Sequence, residues 1–532
     1  MESSIRAIEG PGKVPRSQKL LLGLGESVLV TNTMCTGFFL NAYLLETACL
    51  TAGDVATIQI VQGCFDLCND PLIGMLSDNT KTRFGRRRPW MGLGTILLPF
   101  AFFLLFSPSP FGSSESGKLF FYMFSFCGCS VGVTCFNISV ASLVPELTDD
   151  YDERTSLSSY RLAIGNAIGF CGLMAMSNIV THYEALGEIQ TGYKLGGMVV
   201  GIMLATFGAV TCYFIKEKPE SYWKKENDTG NRSFQERTSS YGQMTLSESA
   251  RNRRRSSVGL TGENILFTTE VKLVFQNRAF LWLLLIWLCG PSAVFILQSS
   301  LVLYCKYVLH DASLITPIIV LVQGMAFVSL PLWLHISKTR GKRMAYNIGA
   351  IALAGFTTCL TFNSNIVLGY FIAGGIGFCL IVVYLIPYSM LPDCVELDEH
   401  MTGRRREGIY VGFFGFLMKI SVTLAIGGSN LLLKSTGYVA PKESCGVPVD
   451  LAEDDDEGGQ NEATLAVIRM LVGIVPAGFF LVAALCVSQY PITKEFHANL
   501  VKEIAEEKEK AEKERQEVRE AEAIGGSERS ML

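Results

Sequence analysis

Gly63-Cys64-Phe65-Asp66-Leu67-Cys68-Asn69-Asp70-Pro71-Leu72-Ile73-Gly74 sets two carboxylates inside a run that is otherwise apolar enough for a membrane. Asp66 and Asp70 stand at positions i and i+4, so a helix projects both from one face, about one turn apart. They make a pair of hard oxygen donors. An acid in the bilayer costs about 2.5–3.5 kcal/mol on insertion scales, so such residues normally face a watery path or a partner and mark the route of an ion or substrate. Pro71 and Gly74 follow at once, and both loosen a helix where a cavity wall needs it.

The rest of the chain matches this reading. With 532 residues, 49% of them hydrophobic, and a mean hydropathy of +0.32, it is too apolar for an ordinary soluble enzyme and too long for a single-span anchor. Runs of about 20 residues, long enough to cross a bilayer, fall near 20–46, 54–78, 90–107, 118–146, 156–182 and 195–216, and again near 278–304, 313–336, 344–362, 365–392, 409–434 and 464–490. Two sets of six spans therefore predict an all-α polytopic membrane protein: an N-terminal segment 1–19, halves at 20–216 and 278–490, a linker at 217–277 and a charged tail at 491–532.

Charge distribution orients the spans. Lys81, Arg83, Arg86, Arg87 and Arg88 follow span two, Lys338, Arg340, Lys342 and Arg343 follow span eight, and Arg404, Arg405 and Arg406 follow span ten. The alternate loops carry only Lys194 and Lys306, so the positive-inside rule places both termini in the cytoplasm. The linker is too polar to fold alone. Its Arg253-Arg254-Arg255-Ser256-Ser257 run fits a solvated basic stretch, with a kinase site or an anionic-lipid contact as alternatives. The acidic run Glu453-Asp454-Asp455-Asp456-Glu457 falls in the last outward loop, and the tail alternates in charge like a solvated helix. Membrane-embedded cysteines such as Cys64, Cys68, Cys127, Cys129 and Cys135 read as small hydrophobes, and the Cys127-Gly-Cys129 spacing is no zinc pattern.

The two halves echo each other. Span two ends in Ser77-Asp78-Asn79-Thr80-Lys81-Thr82-Arg83-Phe84-Gly85-Arg86-Arg87, and span eight in Ser337-Lys338-Thr339-Arg340-Gly341-Lys342-Arg343. Ser142-Leu143-Val144-Pro145-Glu146 closes span four, and Ser389-Met390-Leu391-Pro392-Asp393 closes span ten. Such parallel repeats predict the twelve-helix major facilitator fold, rocking around a midplane site. Gly85, Arg86, Arg87, Arg88 and Arg340 are then candidates for conformational gating, and they also set topology and cap helix C-termini.

Four charges stand out within the predicted spans: Asp66, Asp70, Arg161 and Lys419. Facing lipid they would cost about 10–14 kcal/mol, so the expectation is that two negative and two positive groups converge on a central cavity. Asn69, Asn137 and Thr423 can add neutral oxygens, which suits sodium. A proton is the competing ion, because two acids a turn apart repel. No nucleophile and base, phosphate loop or metal cluster points to an enzyme, and nothing points to nucleic acid. No cofactor is expected beyond the coupling ion, and a monomer is expected.

At these residues the sequence resembles the glycoside-pentoside-hexuronide:cation symporter family, whose second helix carries the pattern seen at Asp66, Asp70 and Pro71. The likeness runs from about residue 18 to 492 through Gly85-Arg86-Arg87-Arg88-Pro89-Trp90, Ser142-Leu143-Val144-Pro145, Arg161 and Lys419. It implies that Asp66 and Asp70 hold the cation, that Lys419 sits beside cation and substrate, and that Arg161 lines the inner cavity. The sequence is more similar to the eukaryotic lysolipid branch, in Gly37-Phe38-Phe39-Leu40, Tyr43-Leu44-Leu45, Leu385-Ile386-Pro387-Tyr388 and Gly437-Tyr438. Val30 and Asn137 stand where the bacterial sugar carriers have acids, which argues for a lysophospholipid-like amphiphile over a sugar or other small polar metabolite. Gln298 stands where the lysolipid carriers have a Glu, which argues against choline in particular, and Cys445 has no Cys partner in the 183–194 loop. The expectation is a sodium-coupled symporter of the plasma membrane, with an endomembrane as the alternative location, set against a non-transporting receptor or scaffold in which the intramembrane charges are dispensable.

Overall fold

The computed structural model describes residues 14–80, 82, 85, 87–112, 114–147, 151–215, 274–402, 407–439 and 460–493, with 495, 496 and 503. Arg86, Arg404, Arg405 and Arg406, the linker up to residue 273 with Ser256 and Ser257, Cys445, the acidic run at 453–457 and most of the tail lie outside the described residues.

Twelve helical columns follow one another among the described residues. In the first half these are α1 (Arg16–Cys35, continued by π-helical turns at Thr36–Leu40 and Tyr43–Thr47), α2 (Ala52–Asn79), α3 (Arg88–Leu105), α4 (Glu115–Leu147), α5 (Tyr151–Ala185) and α6 (Ile189–Phe214). The second half has α7 (Arg278–Tyr307), α8 (Ile315–Arg340), α9 (Lys342–Phe362), α10 (Ile366–Leu380, then Val382–Thr402), α11 (Glu407–Ser435) and α12 (Glu462–Val472, then Ile474–Gln489). Among the described residues, ten helices are long and apolar enough to cross a membrane. The other two columns, α1 and α2, carry Glu26, Asn32 and Glu46 or Gln62, Asp66, Asn69 and Asp70, polar groups that a cavity wall needs and lipid would reject.

Local chemistry sets the ends. Thr51 caps α2 by accepting the Asp54 N–H at 3.2 Å, and Asn277 caps α7 by accepting that of Phe280 at 3.2 Å, each satisfying a free helical donor. Gly341 turns α8 into α9 at a φ of +89°, a conformation that costs glycine little. One expected end moves: α10 continues through Pro392 to Thr402. Neighbouring side chains serve the carbonyls around that proline, Lys342 Nζ donating to Ser389 at 2.7 Å and Asn277 Nδ2 to Cys394 at 3.0 Å, which is how membrane helices tolerate proline.

Within the first half α1 lies along α5, and α3 lies along α4 and α6; within the second, α7 packs on α11 and α12, and α8 on α10. Between the halves α2 packs on α11, α7 on the first π turn, and α5 on α8. The α2–α11 contact carries the candidate site.

Candidate functional site

Gly63 lets α2 and α11 approach closely: a β-carbon there would collide with the Thr423 side chain. One turn before Thr423 on α11, and beside the carboxylates one and two turns beyond Gly63 on α2, Lys419 Nζ lies 2.5 Å from Asp70 Oδ2 and 3.4 Å from Asp66 Oδ2. The two carboxylates are served from their other sides by α2 and α4. Gln62 Nε2 donates to Asp66 Oδ2 at 2.8 Å, Ser130 Oγ donates to Asp66 Oδ1, and Thr134 Oγ1 donates to Asp70 Oδ1 at 2.8 Å. Two carboxylates against one ammonium leave the cluster one negative charge in excess. Its donors are all hard oxygens, the set that suits a small hard cation.

The neutral candidates divide. Asn69 is buried and its Nδ2 donates to Thr134 Oγ1 at 3.0 Å, so it orients the hydroxyl that serves Asp70. Thr423 instead gives its O–H to the Lys419 carbonyl at 2.9 Å and packs on Gly63. Asn137 is exposed on α4. Gln298 is half-buried on α7 and lines a narrow apolar cavity of about 50 Å³ with Phe38, Val294, Leu301, Ile319 and Ala373. Gly85 takes a φ of +108°. Arg87 is buried and donates to Ser77 Oγ at 2.9 Å, while Arg88 donates to the Tyr213 and Ile215 carbonyls at the C-terminus of α6. Arg340 is exposed at the end of α8.

Arg161 does not join the acid pair. Its Nε lies 2.7 Å from Glu26 Oε2 on α1. The expected meeting of two negative and two positive groups therefore resolves into a three-membered cluster and a separate neutral pair. Glu26 was legible as an acid in the first apolar run, and counting every acid in that run would have found it.

A second ion-pair cluster, also absent from the sequence reading, ties the halves near the ends of α1, α5 and α7. Lys306 Nζ lies 2.6 Å from Glu46 Oε2 and 2.6 Å from Glu184 Oε1, with side-chain exposures of 13%, 3% and 20%. Lys306 thus belongs to α7 and not to the following loop. Asn430 Nδ2 donates to Asn41 Oδ1 at 2.7 Å and Asn41 Nδ2 to the Ser299 carbonyl at 3.3 Å, extending the tie inward. Cys49, in the loop after α1, is disulfide-bonded. Removing one member of a buried ion pair costs about 3–5 kcal/mol, so Lys306→Ala is expected to open this end. Thiol labelling of an introduced Ser299→Cys, resolved by peptide mass, should rise at least tenfold. Unchanged labelling would show that the cluster does not hold the halves together.

The family described as MFS/sugar transport protein matches residues 21–255 and 242–494. The chain belongs to that family. This MFS transporter is 28% identical to an uncharacterized symporter of Synechocystis over 92% of its own length and 96% of the relative's. It is 25% identical to the sodium-dependent lysophosphatidylcholine symporter 1 of Gallus gallus, covering 90% and 87% of the two chains. Among solved structures, it shares the fold of a bacterial homolog of the human lysosomal transporter Spinster in an inward-facing, unoccupied conformation, with a TM-score of 0.59, 10% identity and coverage of 90% and 98%. The MFS transporter is an integral, multi-pass membrane protein.

Proposed function

We propose that this MFS transporter couples sodium entry to the uptake of a lysophospholipid by alternating access. The observation that supports it best is the Asp66, Asp70 and Lys419 cluster, which joins the two halves and carries one excess negative charge, as a monovalent cation requires. Sodium entering between the carboxylates competes with the Lys419 ammonium for Asp70. The displaced Lys419 is then free to meet an anionic group on the substrate, so ion and substrate bind together. The small cavity beside Gln298 is lined by apolar side chains, as the path of an acyl chain requires, and the likeness to a lysophosphatidylcholine symporter points to the same substrate class. On this reading the protein is a carrier and not an enzyme. It works as a monomer with both termini in the cytoplasm, at the plasma membrane, and Gly85, Arg86, Arg87, Arg88 and Arg340 gate the inner side.

Purified protein in proteoliposomes, given lysolipids, sugars and amino acids under imposed sodium or proton gradients, tests this directly. Saturable, sodium-stimulated lysolipid uptake is expected. It should improve with acyl length by up to about fourfold per methylene, since each buried CH₂ contributes about 0.8 kcal/mol, until the apolar slot is filled. Efficient sugar uptake without competition by lysolipid would replace the substrate, and proton-driven uptake indifferent to sodium would replace the ion.

A further inference from the structure

The Lys306 cluster repeats the charge plan of the Asp66, Asp70 and Lys419 cluster. Each sets two carboxylates of the first half against one lysine of the second, and each is left with one negative charge in excess. They are separate places. Asp66 stands about 21 Å along α2 from Ala52, the end that follows the Glu46 turn, whereas Lys306 is the last residue but one of α7.

The surroundings of the two clusters differ. Gln62, Ser130 and Thr134 donate to the carboxylates of Asp66 and Asp70. Glu46 is 2% exposed and gives its Oε2 to Lys306, while its Oε1 is buried and has no hydrogen-bond partner among the described residues, and Glu184 Oε2 is in the same state. The neighbouring Lys118 donates to the Ala48 carbonyl at 3.1 Å instead. Further oxygens without partners mark the same seam: Thr47 Oγ1 beside Glu46, Ser300 Oγ about 9 Å along α7 from Lys306, and Asn430 Oδ1, whose Nδ2 bonds to Asn41. Thr47, Ser300 and Asn430 are 7%, 1% and 0% exposed. An unmatched charge and unpaired acceptors are both costly to bury. A small cation relieves both at once, because carboxylate, hydroxyl and amide oxygens are the donors that it takes.

We propose that Glu46 and Glu184 form a second site for a small monovalent cation of the size of sodium, and that this ion displaces Lys306 and unties the two halves at this end. The carboxylates belong to α1 and α5 and the lysine to α7, so the halves are held shut while the ammonium bridges them. An ion between the carboxylates cancels the excess charge, and the ammonium then turns to water as the seam opens. On the topology proposed above this end faces outward, so external sodium favours the outward-open state before any ion reaches Asp66 and Asp70. The site needs neither the lysolipid nor the central ion, and it goes beyond the transport reading.

Full-length protein carrying Ser299→Cys, held in nanodiscs that wet both faces, reports the site through the rate of maleimide labelling at position 299, followed by peptide mass. Asp66→Asn and Asp70→Asn are added so that the central cluster cannot answer to sodium. Sodium is expected to raise labelling at least threefold over N-methylglucamine at equal ionic strength and pH, whereas plain screening of an ion pair acts alike in both salts. Adding Glu46→Gln or Glu184→Gln leaves one carboxylate against one lysine, so labelling should stay slow and the difference between the salts should vanish. Glu184→Gln, at the more exposed carboxylate, carries the test alone where Glu46→Gln does not fold. Labelling that ignores sodium before the Glu→Gln change, that keeps its full sodium response after it, or that follows pH in place of sodium would overturn the second cation site. Failure of sodium-driven lysolipid uptake would count against the proposed function and leave this result standing.

Discussion

Asp70→Asn is expected to remove sodium-stimulated uptake while leaving the protein folded in the membrane. The amide keeps the size of the side chain, and its oxygen still accepts the Thr134 O–H that serves Asp70 at 2.8 Å. The change lies in charge: the cluster of Asp66, Asp70 and Lys419 goes from one excess negative charge to none, and the attraction for a monovalent cation disappears with it. At about 4 Å and an effective dielectric near 20, one such charge is worth about 4 kcal/mol, nearly three orders of magnitude in affinity. The Asp70 side chain is 39% exposed, so screening reduces that figure, and a loss of about a hundredfold is the working expectation. Asp66→Asn should act in the same direction, because Gln62 and Ser130 hold that carboxylate in place but cannot replace its charge. Uptake measured against sodium concentration, with surface expression checked in parallel, reads the effect. A double Asp66→Asn, Asp70→Asn variant that stays fully sodium-dependent would remove both residues from the ion site.

The architecture was legible because a bilayer enforces it: twenty-residue apolar runs and segregated Lys and Arg leave few alternatives to two six-helix halves. The acid pair was legible for the same reason, since Asp66 and Asp70 contradict their surroundings. Pairing was much less so. Nothing local in the sequence says that Arg161 meets Glu26 on another helix or that Lys306 reaches Glu46 and Glu184, because these contacts join residues distant along the chain. Glu46 is the last residue of the first apolar run and Lys306 lies two residues beyond the seventh, so both read as boundary residues where charge is ordinary. Likewise Thr423 looked like an oxygen donor, but its hydroxyl bonds to its own helix, and a serine or threonine one turn from a carbonyl often makes that choice.

Lys419→Ala should separate ion binding from transport. In the native cluster the ammonium sits 2.5 Å from Asp70 and 3.4 Å from Asp66, so sodium must compete with it, and the competition links the ion to the substrate. Without the ammonium the two carboxylates face each other with a double negative charge, which attracts a cation more strongly but no longer releases any group toward the substrate. Sodium binding, followed by radiolabelled ion on the purified protein, is therefore expected to persist or tighten, while gradient-driven uptake falls at least tenfold. Lys419→Arg keeps the charge but replaces a compact, strongly hydrated ammonium by a planar fork. It should bind sodium and transport at an intermediate rate, because a bidentate guanidinium leaves the carboxylates less readily. A wild-type uptake rate in Lys419→Ala would show that the lysine only neutralises a buried charge. A parallel loss of sodium binding and uptake would show that it holds the helices together instead of exchanging with the ion.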